Sequence, residues 1–287
     1  MKINKVVIPV AGWGTRSLPA SKNIPKEMLP VFNKPVIQYV VEEALRAGLK
    51  DVVFVTSKEK RVIEDHFDYN LQLEETLERA GKKSLLKEVR AVSEMINIIS
   101  VRQKMQLGLG HAVLCAKEVV CNEPFGIILG DDMIIGRDAG IIQLIKASQK
   151  YNLPAVGVME VPEEKVSRYG IVSGQEIAPG ILRIDKMVEK PKQSEAPSNL
   201  AIVGRYVLTP DIFWHIENSK KGHGGEIQLT DALQKLASDR GMLAVKIKGL
   251  RFDAGDWVEY LTANIYFALQ DESLRDDLLS QLRPLLK

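Results

Sequence analysis

The chain has 287 residues, 45% of them apolar and 26% charged, with a formal charge of +2. That size suits one large α/β domain or two small ones, and the near-balanced charge gives no bulk electrostatic case for a nucleic-acid or membrane partner. The two cysteines, Cys115 and Cys121, form neither a CxxC pair nor a metal-ligand spacing. No apolar run of about 20 residues is present to cross a bilayer, and the first residues lack a signal peptide's charged start and apolar stretch, so a cytoplasmic protein with free thiols is expected. In chain order, residues 6–10 read as a buried strand, and 36–47 as a helix stopped at Gly48. Residues 51–56 form the next strand. Residues 60–67 and 71–90 read as helical, the latter strongly charged and broken at Gly81. A strand at 98–101, a helix at 110–120 and a strand at 124–129 follow, ending in Gly130-Asp131-Asp132. This β-α-β rhythm predicts an α/β fold with a mostly parallel sheet covered by helices, whose ligands sit outside the carboxyl ends of the strands. From residue 155 strands dominate, at 155–161, 170–173, 182–190 and 200–208, with 191–198 as loop. Residues 226–240 and 258–270 read as helices. The last stretch, 274–283, reads as an amphipathic helix with Leu274, Leu278, Leu279 and Leu282 on one side. Without repeats or a long linker, the reading is one domain over 1–270 and a C-terminal helical extension over 271–287.

The most informative segment is residues 8–30, IPVAGWGTRSLPASKNIPKEMLP. An apolar strand runs into a small-residue turn, and ten residues beyond Arg16 stands Lys26. Glycine lets backbone approach a ligand closely, and exposed N–H groups at a strand-to-helix turn cradle anions. Arg16 and Lys26 add fixed positive charge, and prolines at 19, 25 and 30 stiffen the loop. The combination suits a polyphosphate. It is not a dinucleotide fingerprint, because the sixth position of the G-x-G-x-x-G pattern is Ser17, and no P-loop is present.

This segment resembles the signature of sugar nucleotidylyltransferases, and its PKEMLP is similar to that of the bacterial UTP–glucose-1-phosphate uridylyltransferases. The resemblance continues through VRQ at 101–103, GLGHAVLCA at 108–116, LGDD at 129–132, YGIV at 169–172, VEKPK at 188–192, APSNLAIVGRY at 196–206 and GEIQLTDA at 225–232. It implies a Rossmann-like three-layer α/β/α fold of the nucleotide-diphospho-sugar transferase type, with a mixed, mostly parallel sheet. It also implies a nucleotide-binding part over about 1–135, a sugar-phosphate-binding part over about 136–270, and a homodimer or homotetramer. The implied reaction converts UTP and α-D-glucose 1-phosphate to UDP-glucose and diphosphate with Mg²⁺. Relatives often carry lysine where this chain has Leu107 and Trp257; Trp257 is expected to pack in the core.

Such a transfer is an in-line displacement at the α-phosphorus by a phosphate oxygen already ionised at pH 7. No general base is needed, and catalysis rests on positioning and charge neutralisation. Arg16, Lys26 and Asp131 are the expected catalytic residues. Asp131, at the end of an apolar strand, matches the family's metal position, with Asp253 as second ligand. Asp132 is the alternative helix cap. The resemblance assigns nucleotide binding to Ala11, Gly12, Gly14, Thr15, Arg16, Lys26, Gln103 and Gly110. Gln103 offers a donor and an acceptor to the uracil edge, which thymine shares. His111 reads as structural. Gly170, Glu189 and Lys190 are assigned to the sugar phosphate. Adjacent strand residues point to opposite faces, so a local bend must bring Glu189 and Lys190 together. The competing readings are the same chemistry with dTTP or another sugar 1-phosphate, a non-catalytic nucleotide-sugar-binding regulator, and a sugar transferase using UDP-glucose as donor. The regulator should have lost Asp131, Arg16, Lys26 or Asp253, and the transferase would not need a cationic grip on a leaving diphosphate.

Overall fold

The computed structural model describes residues 1–138 and 140–285; the last two residues of the predicted C-terminal extension lie outside the described residues. The strands, in chain order, are β1 Lys5–Pro9, β2 Pro30–Val31, β3 Lys34–Pro35, β4 Asp51–Thr56, β5 Asn97–Arg102, β6 Phe125–Ile128, β7 Asp132–Ile135, β8 Ala155–Glu160, β9 Gly170–Ala178, β10 Ile181–Glu189, β11 Leu200–Leu208, β12 Leu243–Lys246 and β13 Leu250–Asp253. Among the described residues, nine of them form one sheet in the order β5-β4-β1-β6-β11-β8-β12-β10-β9, and β9 also pairs with β11. The class is α/β. The predicted helices at 36–47 and 71–90 appear as Val36–Arg46, then Leu71–Arg79 and Lys83–Ser93, with Gly48 and Gly81 both at positive φ where the helices stop.

The sheet is mixed but not mostly parallel, which corrects the expectation. The block β5-β4-β1-β6 is parallel throughout. Beyond it only β8 and β12 run parallel, while β11 opposes β6, β8 and β9, and β10 opposes β9 and β12. For β9 and β10 the cause is their connection, a two-residue turn with Gly180 at φ 74. So short a turn joins antiparallel strands, whereas parallel neighbours need a crossover. In the parallel block all carboxyl ends share one edge. The glycine loop, the 103–108 segment and Asp131 therefore emerge side by side.

Both faces of the sheet are covered. Val7, Val53 and Val55 pack with helices Leu109–Cys115, Asp211–Glu217 and Leu229–Arg240, while Val6, Ile8, Val52 and Phe54 pack with helices Val36–Arg46 and Gly140–Tyr151. The alternation of a strand thus feeds two apolar layers. No helix among the described residues is long and apolar enough to cross a membrane. The helix Arg275–Leu282 packs loosely: none of its residues is buried, and Leu274 just before it is exposed.

Asp132 does not cap a helix. It opens β7, which pairs antiparallel with β13 so that Asp132 faces Asp253. Beneath this ribbon lies the fully buried Arg205, whose Nε and Nη2 meet Glu43 Oε1 and Oε2 at 3.0 and 2.7 Å, and whose Nη2 also donates to the Asp132 carbonyl at 2.6 Å. Glu43 Oε1 in turn accepts the Ile141 N–H. Removing one partner of a buried pair strands the other charge, so Glu43→Ala is expected to destabilise the fold by about 3–5 kcal/mol. Urea unfolding measures this, and a loss below about 1 kcal/mol would remove the pair from the account of stability.

Candidate active site

The glycine loop leaves β1 with Ala11 buried and nothing near the position a Gly12 Cβ would take. Gly14 lies at φ 66, a left-handed conformation that costs glycine little. Its carbonyl accepts the Ser17 N–H at 3.0 Å and the Ser21 hydroxyl at 2.8 Å, which closes the loop on itself. The Lys26 stem runs beneath, 3.4 Å from where a Gly14 Cβ would stand, and its ammonium is hydrogen-bonded to Asp131 Oδ2. Burial alone would lower the Lys26 pKa, but Asp131 and Glu27 outweigh it and hold the ammonium above its ordinary value. Asp131 shows the converse: burial pushes its carboxyl up, and Lys26 and Arg16 together hold it below the usual carboxylate range.

Asp253 reaches the same place from the other end of the chain. The Asp131 carbonyl accepts the Ala254 N–H at 2.8 Å, which stitches the turn after β13 to the end of β6. Asp253 Oδ1 accepts the Gly255 N–H at 2.7 Å. A Gly255 Cβ would stand 2.7 Å from Arg16 Nη2, so a larger residue there would shift that guanidinium. Arg16 spans the two carboxylates, with Nη2 3.7 Å from Asp131 Oδ2 and Nη1 3.6 Å from Asp253 Oδ2. Both carboxylates thus face the one Arg16 guanidinium. Among the described residues, no group of three or more His, Cys, Asp or Glu side chains forms a metal cage.

Two cavities meet at this point. One, of about 410 Å³, is walled by the glycine loop, Lys26, Gln103, Gln106 and Gly108. The other, of about 200 Å³, is walled by Arg168, Gly170, Glu189, Thr230, Arg251 and Asp253. Asp131 lines both. Glu189, which lines the smaller cavity, ends β10; Lys190, which does not line it, turns the chain at φ 44 and has Nζ 3.6 Å from Glu189 Oε1. Thr230 Oγ1 donates to Glu189 Oε2 at 2.6 Å.

Three expectations need correction. Gly110 does not line either cavity: its N–H donates to the Ile227 carbonyl at 2.9 Å, and a Cβ there would come within 2.8 Å of the same oxygen. It is a packing glycine. Gln103 does line the larger cavity, but its Nε2 donates to the Gly108 carbonyl at 3.2 Å and lies 3.0 Å from His111 Nδ1. With His111 Nδ1 as acceptor both N–H bonds are engaged, so Gln103 presents its carbonyl oxygen alone. Trp257 is not in the core: it is 44% exposed, edge-on to Tyr260 at 5.9 Å.

Several cavity residues were not anticipated. Arg251 grips Asp132 with Nε 2.8 Å from Oδ1 and Nη2 3.0 Å from Oδ2. Burial pushes the Asp132 carboxyl up to about 6 against the pull of Arg251 and Arg205, while Asp132 holds the Arg251 guanidinium above its ordinary value. A signal for Arg251 was available, since it stands two residues before Asp253 and so on the same strand face. Arg168 Nη2 pairs with Asp256 at 3.2 Å. Trp13, 63% exposed, stands at the mouth of the larger cavity.

The profile of the nucleotidyl transferase family matches residues 5–269. A UTP--glucose-1-phosphate uridylyltransferase of Bacillus subtilis (strain 168) is 47% identical over 285 residues, covering 99% of this chain and 98% of the relative. Among solved structures, a UDP-glucose pyrophosphorylase complexed with UDP-glucose is 43% identical with a TM-score of 0.87, covering 94% of this chain and 100% of the other. A UTP-bound UGPase from Acinetobacter baumannii is 41% identical with a TM-score of 0.90, covering 100% of each chain.

Proposed function

This chain belongs to the nucleotidyl transferase family, and we propose that it converts UTP and α-D-glucose 1-phosphate to UDP-glucose and diphosphate. The observation that carries this reading is the position of Asp131, on the shared wall of a cavity lined by the glycine loop and Lys26 and a second one lined by Arg16, Gly170 and Glu189. Two substrates held one in each cavity would react at their junction. The relatives' names and the ligands of the solved structures support UTP and glucose 1-phosphate. The parallel block of the sheet, with both cavities at its carboxyl edge, supports a Rossmann-like three-layer fold of the nucleotide-diphospho-sugar transferase type. It also supports a nucleotide-binding part over about 1–135 and a sugar-phosphate part over about 136–270. A cytoplasmic homo-oligomer belongs to the same reading.

In the proposed mechanism a phosphate oxygen of the sugar ester attacks the α-phosphorus, and the bond to the bridging oxygen of the departing diphosphate breaks. Lys26 neutralises charge at the reacting phosphates. Arg16 exchanges its two carboxylate partners for β- and γ-phosphate oxygens, which its planar fork can grip. The glycine-loop amides of Gly12, Gly14 and Thr15 hold the triphosphate, and Gln103 accepts the imide N–H of the base, with Ala11 backbone beside it. Glu189 accepts from sugar hydroxyls, Gly170 lets the ring approach backbone, and Lys190 meets the ester phosphate. Asp131 and Asp253 supply two hard oxygen donors, which suits Mg²⁺ completed by phosphate and water. When bound, the ion neutralises charge on the triphosphate and fixes its geometry. All four of Arg16, Lys26, Asp131 and Asp253 are present and converge, which disfavours a non-catalytic regulator.

The test is diphosphate release from four nucleoside triphosphates, UTP and dTTP among them, paired with several sugar 1-phosphates, with and without Mg²⁺. The expected result is release from UTP with glucose 1-phosphate that requires the ion. A strong preference for dTTP would overturn the base assignment, since the imide edge facing Gln103 is common to both bases.

A further inference from the structure

We propose that Thr230 is a positioning residue for the sugar phosphate: it holds the Glu189 carboxylate in the orientation that receives the hexose hydroxyls, and this rests on the role of Glu189 given above. Thr230 lies in the first turn of helix Leu229–Arg240, only 7% exposed, and its hydroxyl donates to Glu189 Oε2 at 2.6 Å. That helix packs directly on β10, so the donor is carried by a rigid element rather than a loop. The other carboxylate oxygen, Oε1, faces Lys190 Nζ at 3.6 Å. The two oxygens are therefore divided. One is fixed by a buried hydroxyl, and the other is left toward the cation, with the Glu189 side chain on the cavity wall. Gly170 completes the arrangement: a Cβ there would come within 3.0 Å of Thr230 Oγ1 and 3.2 Å of Glu189 Oε2. The hydroxyl and carboxylate thus sit against the cavity wall without slack.

The physical need follows from Lys190. An ammonium beside a carboxylate at a strand end draws it into a closer ion pair, away from a neutral sugar hydroxyl. The Thr230 hydrogen bond opposes that pull, and hydrogen bonds to ionised groups are the stronger ones. Losing it should weaken the hexose phosphate and leave the nucleotide, in the other cavity, unaffected.

Thr230→Val keeps the side chain's shape and removes the donor, while Thr230→Ser keeps the donor. Steady-state kinetics with both substrates are expected to show KM for glucose 1-phosphate raised by roughly 10-fold in Thr230→Val, the scale of one hydrogen bond to a charged group. KM for UTP should stay within about two-fold, and Thr230→Ser should match the parent within about two-fold, since it retains that bond. In a Glu189→Gln background the valine substitution should add little, because its effect runs through that carboxylate. An active Thr230→Val protein with unchanged KM for glucose 1-phosphate would overturn the proposal. So would a Thr230→Ser protein as impaired as the valine one, which would assign the effect to the lost methyl contact. If Thr230→Val fails to fold on thermal melting, Thr230→Ala against Thr230→Ser decides by the same KM comparison. A parent protein that releases no diphosphate from UTP and glucose 1-phosphate would overturn the functional reading itself and this proposal with it, whereas an active parent with an indifferent Thr230→Val overturns this proposal alone.

Discussion

Lys26→Ala is expected to lower turnover by roughly 10² or more, the scale for losing one preorganised electrostatic donor at a reacting phosphate. The lysine's surroundings give the reason. Its stem is packed beneath Gly14, its ammonium meets Asp131, and its pKa is held above the ordinary lysine value, so the charge is fixed in place and present throughout the neutral range. Such a group needs no reorganisation when negative charge builds at the α-phosphate. Ground-state affinity should suffer less than turnover, because in the proposed mechanism Arg16 and the glycine-loop amides remain to hold the β- and γ-phosphates. The expected signature is a low kcat with a KM for UTP changed only a few-fold, the pattern of an interaction made mainly in the transition state. Lys26→Arg should not restore the rate: a planar guanidinium on a longer stem does not fit where a compact ammonium meets one carboxylate oxygen. A Lys26→Ala protein that folds normally and turns over within a few-fold of the parent would remove this residue from the mechanism.

How much of this site can be read from sequence depends on how local its causes are. The strand leading into residues 11–16, the glycine turn and the carboxylate after β6 announce themselves through apolar runs and small residues over fewer than ten positions. The meeting of Asp131 with Asp253 does not. It depends on a ribbon of two four-residue strands, β7 and β13, whose ion-paired side chains Asp132 and Arg251 are 119 positions apart. Strands so short carry no periodicity to distinguish them from loop, and Asp132 accordingly reads as a helix cap. The bend that unites Glu189 and Lys190 is likewise hidden, since a lysine at positive φ breaks the usual steric preference and leaves no compositional trace. Gly110 misleads in the opposite sense. A glycine in a ligand-binding motif suggests close approach to a ligand, whereas here the close approach is to the backbone of Ile227. The strand order past β6 is set by a tight hairpin and by β11 running against its neighbours, and neither follows from an α/β rhythm read in the first half of the chain.

The largest single loss is expected from Asp131→Asn, a fall in kcat/KM of roughly 10³ or more, at or beyond the upper end for one electrostatic contact because two functions go together. The substitution keeps the shape and removes the charge. With it goes one of the two carboxylate donors that Mg²⁺ would use, and also the counter-charge that keeps Lys26 ionised and oriented. Asp253 and Arg16 stay, 3.6 Å apart, so the remaining carboxylate is neutralised by the guanidinium in the substrate-free protein. Two consequences separate this account from simple loss of fold. The concentration of Mg²⁺ giving half-maximal rate should rise well above that of the parent, and adding Lys26→Ala to Asp131→Asn should cost much less than Lys26→Ala does alone, because groups in contact do not contribute additively. The measurements are a Mg²⁺ titration of diphosphate release and a double-mutant cycle, with thermal melting as the control for folding. A folded Asp131→Asn enzyme with an unshifted Mg²⁺ requirement and a tenth or more of the parent rate would break the link between the shared wall of the two cavities and the chemistry assigned to it.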